Sequence, residues 1–235
     1  MNRDAMLTTL RRCLGRGALP PDQAAMLRAR LVRHPRGLVP ARAQLAHVEQ
    51  ISLFVRNVEK EYGTVAFVAD FASVPAAVTE YLAKQNLSSE LIVAPHPELL
   101  ALPWADRALL RWRVGRAEAS DVVSLQHAFA AVAETGTLVL PSAAERPTTL
   151  NLLVETEIVV LRTSRVVGAY EEAWDLLRAE RPGLPDGGFM PRSVMLVTGP
   201  SRSADVEQML ELGAHGPHRL HVILVQDGAA AAPAC

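Results

Sequence analysis

The stretch TVAFVADFASVPAAVTEYLAKQNLSSELIVAP, residues 64–95, decides the fold class of this sequence. It begins with TVAFVA (64–69) and ends with ELIVAP (90–95), two short apolar runs of the kind that forms buried strands. Between them, SVPAAVTEYLAKQN (73–86) has a helical pattern, with Ser73 placed to cap its first turn. A buried strand, a helix and a second buried strand predict a parallel sheet covered by helices.

The same alternation continues to residue 225. It predicts an α/β fold with a largely parallel sheet and helices on both faces. AFAAVAETGTLVLPS (128–142) predicts an antiparallel hairpin inserted in that sheet, with a tight turn at Thr135-Gly136. AYEEAWDLLRAE (169–180) predicts a helix, and another is expected to carry Val206, Met209 and Leu210 and to stop at Gly213. The other predicted strands are 111–114, 122–125, EIVVLR (157–162), SVMLVTG (193–199) and LHVILV (220–225).

The residues before the first strand have helical patterns. RAQLAHVEQISLFVRNVEKEYG (42–63) shows one apolar stripe and ends in Gly63, which suits a helix C-terminus. We therefore expect three parts: an N-terminal helical segment packed on the main domain over residues 1–62, an α/β domain over residues 63–226, and a flexible tail over residues 227–235.

Charge and composition exclude several function classes. The net charge is −1, so no overall field attracts nucleic acid or acidic lipid. The two cysteines, Cys13 and Cys235, are too few for an iron–sulfur cluster, which takes about four thiolates. We expect no cofactor and no metal. The sequence has neither a signal-peptide pattern nor an apolar run long enough for a membrane span, so the expected location is the cytoplasm.

The turn after SVMLV is a candidate anion site. Ligands of open α/β sheets bind where strands lead into helices, and a helix N-terminus favours negative charge. The alternative is a turn that only ends the strand and starts the helix. Asp205 and Glu207 favour this alternative because their charges already occupy the positive end of the predicted helix. The candidate anion-binding residues in this turn are Thr198, Gly199, Ser201, Arg202 and Ser203.

The segment AETGT (133–137) supplies a candidate catalytic carboxylate. Glu134 precedes a tight turn between apolar strands, and partial burial there would suit it to acid–base or nucleophilic chemistry. The alternative is a solvated hairpin glutamate with Thr137 hydrogen-bonded across the turn. Thr135, Gly136 and Thr137 are expected to complete the anion site, so that this turn and Gly199–Asp205 converge on one pocket.

The segment GAHGPHRLH (213–221) spaces three histidines by three residues, which would suit a metal site on a helix. Gly216 and Pro217 exclude a regular helix, so His215 is expected either to enter the cleft as a catalytic residue or to bond the backbone. Elsewhere, Glu155 and Glu157 are expected to face water, and His127 is expected to be a core histidine. The three histidines are His215, His218 and His221.

Three segments together resemble the signature segments of the LUD (lactate utilisation) domain family: AFAAVAETGTLVL, TGPSRSADVEQMLELGAHGP and RLHVILV. The resemblance implies the fold of the ribose-phosphate isomerase, glucosamine-phosphate deaminase and CoA-transferase group. It also implies a role in bacterial oxidation of L-lactate to pyruvate, alongside iron–sulfur partner proteins. The family supplies no settled catalytic residue for a chain of this kind.

Three functions remain open from the sequence. The first is a non-redox subunit or accessory protein that binds iron–sulfur partners and a small organic anion such as lactate or pyruvate. The second is an autonomous enzyme on a small carboxylate or phosphorylated substrate, with Glu134 or His215 as acid or base. The third is a sensor of an organic acid, for which no DNA-binding element is visible.

Overall fold

Six parallel strands form the main sheet of this protein, whose computed structural model describes residues 3–17, 19–180, 190–204, 210–213 and 215–227. The strand order is β1-β12-β7-β4-β2-β3, and every pair of neighbours is parallel. The predicted α/β class with a largely parallel sheet is therefore confirmed. In chain order, the described strands are β1 (Thr64–Val68), β2 (Glu90–Val93), β3 (Arg111–Val114), β4 (Val123–His127), β5 (Ala130–Val132), β6 (Thr137–Pro141), β7 (Thr156–Arg162), β8 (Val166–Val167), β9 (Val194–Val197), β10 (Arg202–Ala204), β11 (Leu210–Leu212) and β12 (Arg219–Val225).

Contacts divide the chain into two units, Met1–Leu38 and Val39–Cys235. The first unit holds helices α1 (Arg3–Cys13) and α2 (Pro21–Arg33), neither of which has a buried residue. The second unit holds both sheets and helices α3 (His47–Lys60), α4 (Val74–Lys84), α5 (Pro97–Leu100), α6 (Thr149–Leu152) and α7 (Tyr170–Glu180). Helix α3, which the sequence placed in the N-terminal segment, thus belongs to the unit that contains the sheet. Among the described helices, none has both the length and the apolar character that crossing a bilayer requires.

Helices cover both faces of the main sheet, which explains the continuous apolar strands. On β12, Ile223 and Val225 join the core cluster that includes α4, whereas Val222 and Leu224 join the cluster that includes α3. Alternate residues of a strand point to opposite faces. A central strand with helices on both sides therefore has no solvent face and loses the polar alternation of a half-exposed strand.

The predicted hairpin at Thr135-Gly136 exists, but it lies in a second sheet. Strands β5 and β6 pair antiparallel, and the order of this sheet is β8-β5-β6-β9. Both faces are again covered: Leu138 and Leu140 pack in the cluster that includes α3, and Val139 packs in the cluster that includes α7. The expectation that the hairpin is inserted in the parallel sheet was wrong, because β9 pairs with β6 instead of with a parallel strand.

The prediction of a helix after the TGPSRS turn is also wrong for the residues of this segment that the structure describes. Strands β10 and β11 pair antiparallel, and Gly213 N donates to Ser201 O at 2.8 Å. The backbone groups that a helix would pair within itself are used between two extended segments. Of the residues placed on the predicted helix, Leu210 begins β11, while Val206 and Met209 lie outside the described residues.

Candidate functional site

Polar side chains from four strand ends meet at the carboxyl edge of the parallel sheet. His96 follows β2, His127 ends β4, Arg162 ends β7 and Asp227 follows β12. These four strands are neighbours in the order β12-β7-β4-β2. Ligands of open α/β sheets bind at this edge, so this group, the carboxyl-edge cluster, is the candidate site.

Two stacked imidazoles form the centre of the cluster. The ring centroids of His96 and His127 are 4.1 Å apart, with 5° between the ring planes. Only 9% of His96 and 5% of His127 is exposed. Arg146 Nη2 lies 3.1 Å from His96 Nε2. Since a guanidinium only donates, Nε2 is the acceptor and the proton of the neutral ring sits on Nδ1. That buried Nδ1 has no hydrogen-bond partner among the described residues.

A chain of charges supports the second imidazole. His127 Nε2 lies 2.8 Å from Glu98 Oε2, but the two groups are not aligned as in a hydrogen bond. Arg162 donates to the other oxygen of Glu98 and lies 3.5 Å from Asp227 Oδ2. Its guanidinium also covers the ring of Phe71 at 4.4 Å from the centroid. These contacts fix Glu98 against the buried ring.

Burial favours the neutral form of both imidazoles. Burial, with the nearby His96 and three arginines, lowers the pKa of His127 to about 2. Burial and then Arg146 lower the pKa of His96. A neutral imidazole has one N–H donor and one acceptor nitrogen, so the cluster offers directed hydrogen bonds to a ligand.

His96, Glu98 and His127 each offer a metal-ligand atom, and these atoms lie within 4.8 Å of one another. Zinc–nitrogen bonds of about 2.0–2.1 Å require the lone pairs of both rings to meet at the ion. A lone pair lies in the plane of its ring, and the planes of two stacked rings do not meet near the nitrogens. Among the described residues, this geometry favours a hydrogen-bonding site over a metal centre.

A cavity of about 470 Å³ opens beside the imidazole pair. Its lining is small and rigid apart from two polar side chains, His96 and Glu145. Glu145 Oε1 is paired with Arg146 Nη1 at 3.2 Å. The remaining lining residues are Pro95, Pro97 and Ala144. The cavity is wide open to solvent, and its apolar walls carry one imidazole and the paired carboxylate of Glu145.

The two turns predicted to form the site are adjacent. Thr137 Oγ1 lies 2.7 Å from Thr198 Oγ1, 2.7 Å from Thr135 Oγ1 and 2.9 Å from the hydroxyl of Tyr170. The four hydroxyls bond one another, so the described contacts tie the two turns together without involving a ligand.

Helix α3 and Glu61, the residue that follows it, support the two turns from behind. Gly136 has φ +68°, and a Cβ there would lie 2.8 Å from the backbone of Asn57. Gly199 has φ +75°, and its Cβ would lie 2.4 Å from Glu61 O. Only glycine combines a positive φ with so close an approach of two backbones. Both glycines therefore have a structural requirement that holds with or without a ligand.

The charged side chains of the predicted site are engaged in ion pairs. Glu134 Oε1 accepts from Arg42 Nη2 at 2.6 Å. Arg202 pairs with Glu61, and its guanidinium lies 5.5 Å from the ring centroid of Tyr62. An acid–base role for Glu134 or an anion-binding role for Arg202 would require these contacts to open.

The remaining predicted residues lie around the second turn. The exposed His215 donates through its backbone N to Ser201 Oγ at 3.2 Å, and the Ser201 backbone N donates to Pro217 O at 2.9 Å. The backbone of Ser203 belongs to β10, and its side chain lies outside the description. His221 lies apart from His215, buried in β12 and stacked on Tyr81 with ring centroids 3.9 Å apart.

The sequence analysis was most clearly wrong about the burial of Glu157. This residue was expected to face water, but only 1% of it is exposed. Asn151 Nδ2 and Gln126 Nε2 donate to its Oε1 at 2.6 and 2.8 Å. Burial raises the pKa of Glu157 to about 8, although both hydrogen bonds act in the opposite direction. The carboxyl is mostly protonated at neutral pH, because β7 is a central strand with no solvent face.

Sequence reasoning missed most of the carboxyl-edge cluster. His127 was expected in the core and is buried, but its Nδ1 has no described hydrogen-bond partner. The segment APHPE (94–98) carries the missed signal, since His96 and Glu98 directly follow a buried strand. Polar residues at that position point toward the ligand edge of a parallel sheet.

Comparison with known proteins agrees with this fold. The model of the LUD domain matches residues 51–225. Lactate utilization protein C of Geobacillus kaustophilus is 33% identical over 120 residues, which cover 51% of this chain and 48% of that protein. The protein of the same name from Geobacillus thermodenitrificans is 30% identical over 162 residues, or 68% of this chain and 66% of that protein. The chain thus spans about half the length of the first of these relatives.

A solved structure shares the fold. The crystal structure of a DUF162 family protein from Deinococcus radiodurans aligns with a TM-score of 0.57 and 21% identity, covering 77% of this chain and 99% of that one. The LUD domain model covers both signature turns and the carboxyl-edge cluster as far as Arg162. The chain is therefore a member of the LUD domain family.

Proposed function

We propose that this protein is a non-redox component of bacterial lactate utilisation that binds a small organic acid at its carboxyl-edge cluster. The observation that carries the ligand part is His96, which lines a cavity of about 470 Å³ and whose buried Nδ1 has no hydrogen-bond partner among the described residues. A buried donor without an acceptor is costly, and a ligand oxygen would satisfy it.

The chemistry of the cluster suits a carboxylate or a carbonyl oxygen. Arg146 Nη2 lies 3.1 Å from the opposite nitrogen of His96, so its positive charge polarises the ring and strengthens the Nδ1–H donor. His127 stacks beneath and holds the ring in place. A 2-hydroxy or 2-oxo acid places an oxygen beside its carboxylate, which gives two acceptors within one small molecule.

The pathway part rests on the family and on composition. Relatives in the family are named lactate utilization protein C. Oxidation of lactate to pyruvate releases two electrons, and the two cysteines of this sequence are fewer than the four thiolates of a typical iron–sulfur cluster. We assign the electrons to iron–sulfur partner proteins and ligand binding to this chain.

Calorimetric titration with L-lactate and pyruvate tests the ligand part. His96→Phe keeps a flat ring on His127 but removes the donor, so binding should weaken about 10- to 100-fold, the cost of one hydrogen bond to a charged acceptor. The matched variant is Arg202→Ala, which removes the predicted anion ligand of the other site. Each variant is first compared with wild type by thermal denaturation.

The outcomes separate the two candidate sites. Loss of binding in His96→Phe with normal binding in Arg202→Ala supports the carboxyl-edge cluster. The reverse result would overturn it and support the predicted anion site of Thr135–Thr137 and Thr198–Ser203. Turnover of lactate by the purified wild type would instead favour an autonomous enzyme, with Glu134 or His215 as the acid or base to test next.

A separate experiment tests the pathway part. Tagged protein is recovered from lactate-grown cells, and the recovered complex is assayed for lactate oxidation and for iron. We expect iron–sulfur proteins to be retained and the complex to oxidise lactate. Recovery of the tagged chain without iron or lactate-oxidising activity would contradict the subunit role, whatever the calorimetry shows.

A further inference from the structure

Among the described residues of the unit that begins at Val39, the outer edge of β1 borders a groove. The strand order of the main sheet begins at β1, which pairs with β12 on one side and, among the described residues, with no strand on the other. A groove of about 610 Å³ runs along the whole strand between its edge and α4. Phe67 on this strand is 36% exposed.

Hydrogen bonds fix which backbone groups face the groove. Gln226 N donates to Val68 O at 3.0 Å, so the backbone of Val68 points toward β12. Along a parallel strand, successive residues bond to alternate sides. The N–H and C=O groups of Val65 and Phe67 therefore point away from β12 and toward the groove.

The edge has none of the features that prevent strand pairing. Natural edge strands carry charges, prolines or bulges that block another strand. β3, the opposite edge of the same sheet, follows this rule with Arg111 and Arg113. β1 has the sequence TVAFV, without a charge, a proline or a glycine. After Thr64 the strand is apolar, and an uncharged edge of this kind readily pairs with another strand.

We propose that a second copy of this chain covers the edge, with β1 pairing antiparallel to β1 of the partner about a two-fold axis at Ala66. In this register, Val65 lies opposite the partner subunit's Phe67, and both have outward backbone groups. The pair exchanges two hydrogen bonds, and the symmetry repeats them, which gives four.

Side chains also match in this register. Val65 and the partner's Phe67 fall on the same face and form an aromatic–aliphatic cross-strand pair, a favourable combination. Ala66 meets its own copy at the axis, where a small residue permits close approach. The rim of the groove carries Glu59, Glu80 and Lys84. Both signs of charge are therefore present beside the edge.

Sedimentation velocity on the full chain over a range of concentrations tests the proposal. One chain has a mass of 25.4 kDa, and we expect a species of twice that mass. Phe67→Lys places a charge in the strand pair and should raise the dissociation constant at least about 100-fold. Val65→Pro removes an outward N–H and spares the bonds to β12, so it should act in the same direction.

Leu196→Lys is the matched control. Leu196 is 45% exposed on β9, an edge strand of the other sheet, and its substitution should leave the dimer intact. Hydrogen exchange adds a local measurement: the amides of Val65 and Phe67 should be protected in wild type and exchange quickly in Phe67→Lys. A monomeric wild type, a dimer that survives both β1 variants, or a dimer lost only in Leu196→Lys would each overturn the proposal.

Discussion

Replacement of Glu157 by glutamine should stabilise the protein at neutral pH. The ordinary pKa of a glutamate is 4.5, and burial raises that of Glu157 to about 8. The native state therefore favours the protonated carboxyl, and its contribution to stability is complete below pH 4.5 and lost as the pH rises through 8. Each unit of difference between the native and unfolded pKa changes the free energy of unfolding by about 1.4 kcal/mol. The full loss of stability is therefore about 5 kcal/mol, of which about 3 kcal/mol is lost by pH 7.

Glutamine removes this loss because it cannot ionise. Its amide oxygen can accept the same hydrogen bonds that Asn151 Nδ2 and Gln126 Nε2 donate to Oε1. Urea denaturation followed by circular dichroism at pH 4.5, 6, 7 and 8.5 measures the effect. The two proteins should have similar free energies of unfolding at pH 4.5, and the variant should be more stable by about 3 kcal/mol at pH 7.

The neighbouring Glu155 provides the control, since it is exposed on the same segment. Glu155→Gln should follow the wild-type curve at every pH. Other groups that titrate, including the buried histidines, affect all three proteins alike and cancel in the differences. If wild type and Glu157→Gln keep a constant difference from pH 4.5 to 8.5, the carboxyl does not change its protonation in that range and the reasoning fails.

Two further predictions concern the buried histidine and the second turn. The pKa of His127 falls to about 2 from 6.5, so the native state loses about 1.4 kcal/mol for each pH unit below 6.5; His127→Phe should move the acid-unfolding midpoint to lower pH, and an unchanged midpoint would contradict the burial argument. Gly199→Ala should cost at least about 2 kcal/mol by calorimetry, because it combines a positive φ with a Cβ 2.4 Å from Glu61 O. The control Gly17→Ala, with nothing within 4 Å, should change stability by less than about 0.5 kcal/mol.

The α/β class could be predicted because it depends on local patterns. Runs such as LHVILV are apolar throughout, since a central strand packs alternate residues against helices on opposite faces. That same feature misled the interpretation of Glu157. Glu155 and Glu157 occupy alternate positions at the start of a strand, which suggested that their side chains share a solvent face. β7 instead lies between β12 and β4 with both faces covered. Local polarity does not reveal the position of a strand in its sheet.

The carboxyl-edge cluster could not be predicted, because it depends on strand order. His96 and His127 are separated by 31 positions and touch only because β2 and β4 are neighbours. Arg162 joins them through the pairing of β4 with β7. The APHPE segment could have located His96 and Glu98 at a strand end, but the order β12-β7-β4-β2 results from long-range pairing that no local signal specifies.

The helix predicted after the TGPSRS turn was wrong for a different reason. Glycine, proline and serine before an apolar pattern usually mark a helix start. Here the backbone from Ser201 onward pairs with residues 210–213, which are the far arm of a hairpin. The same glycine, proline and serine can precede either a helix or a strand. Which of the two forms depends on the tertiary partner of the following segment rather than on the turn itself.

The position of β12 has a consequence for how the chain is made. Thr64 and His221, which face each other in β1 and β12, are 157 positions apart in the sequence. Until residues 219–225 leave the ribosome, β1 and β7 have no strand between them, and the edge of each that later pairs with β12 has unpaired backbone N–H and C=O groups. Such a nascent chain needs shielding from its neighbours throughout most of its synthesis. A stop codon just before residue 219 should therefore give insoluble material rather than a shortened but folded protein.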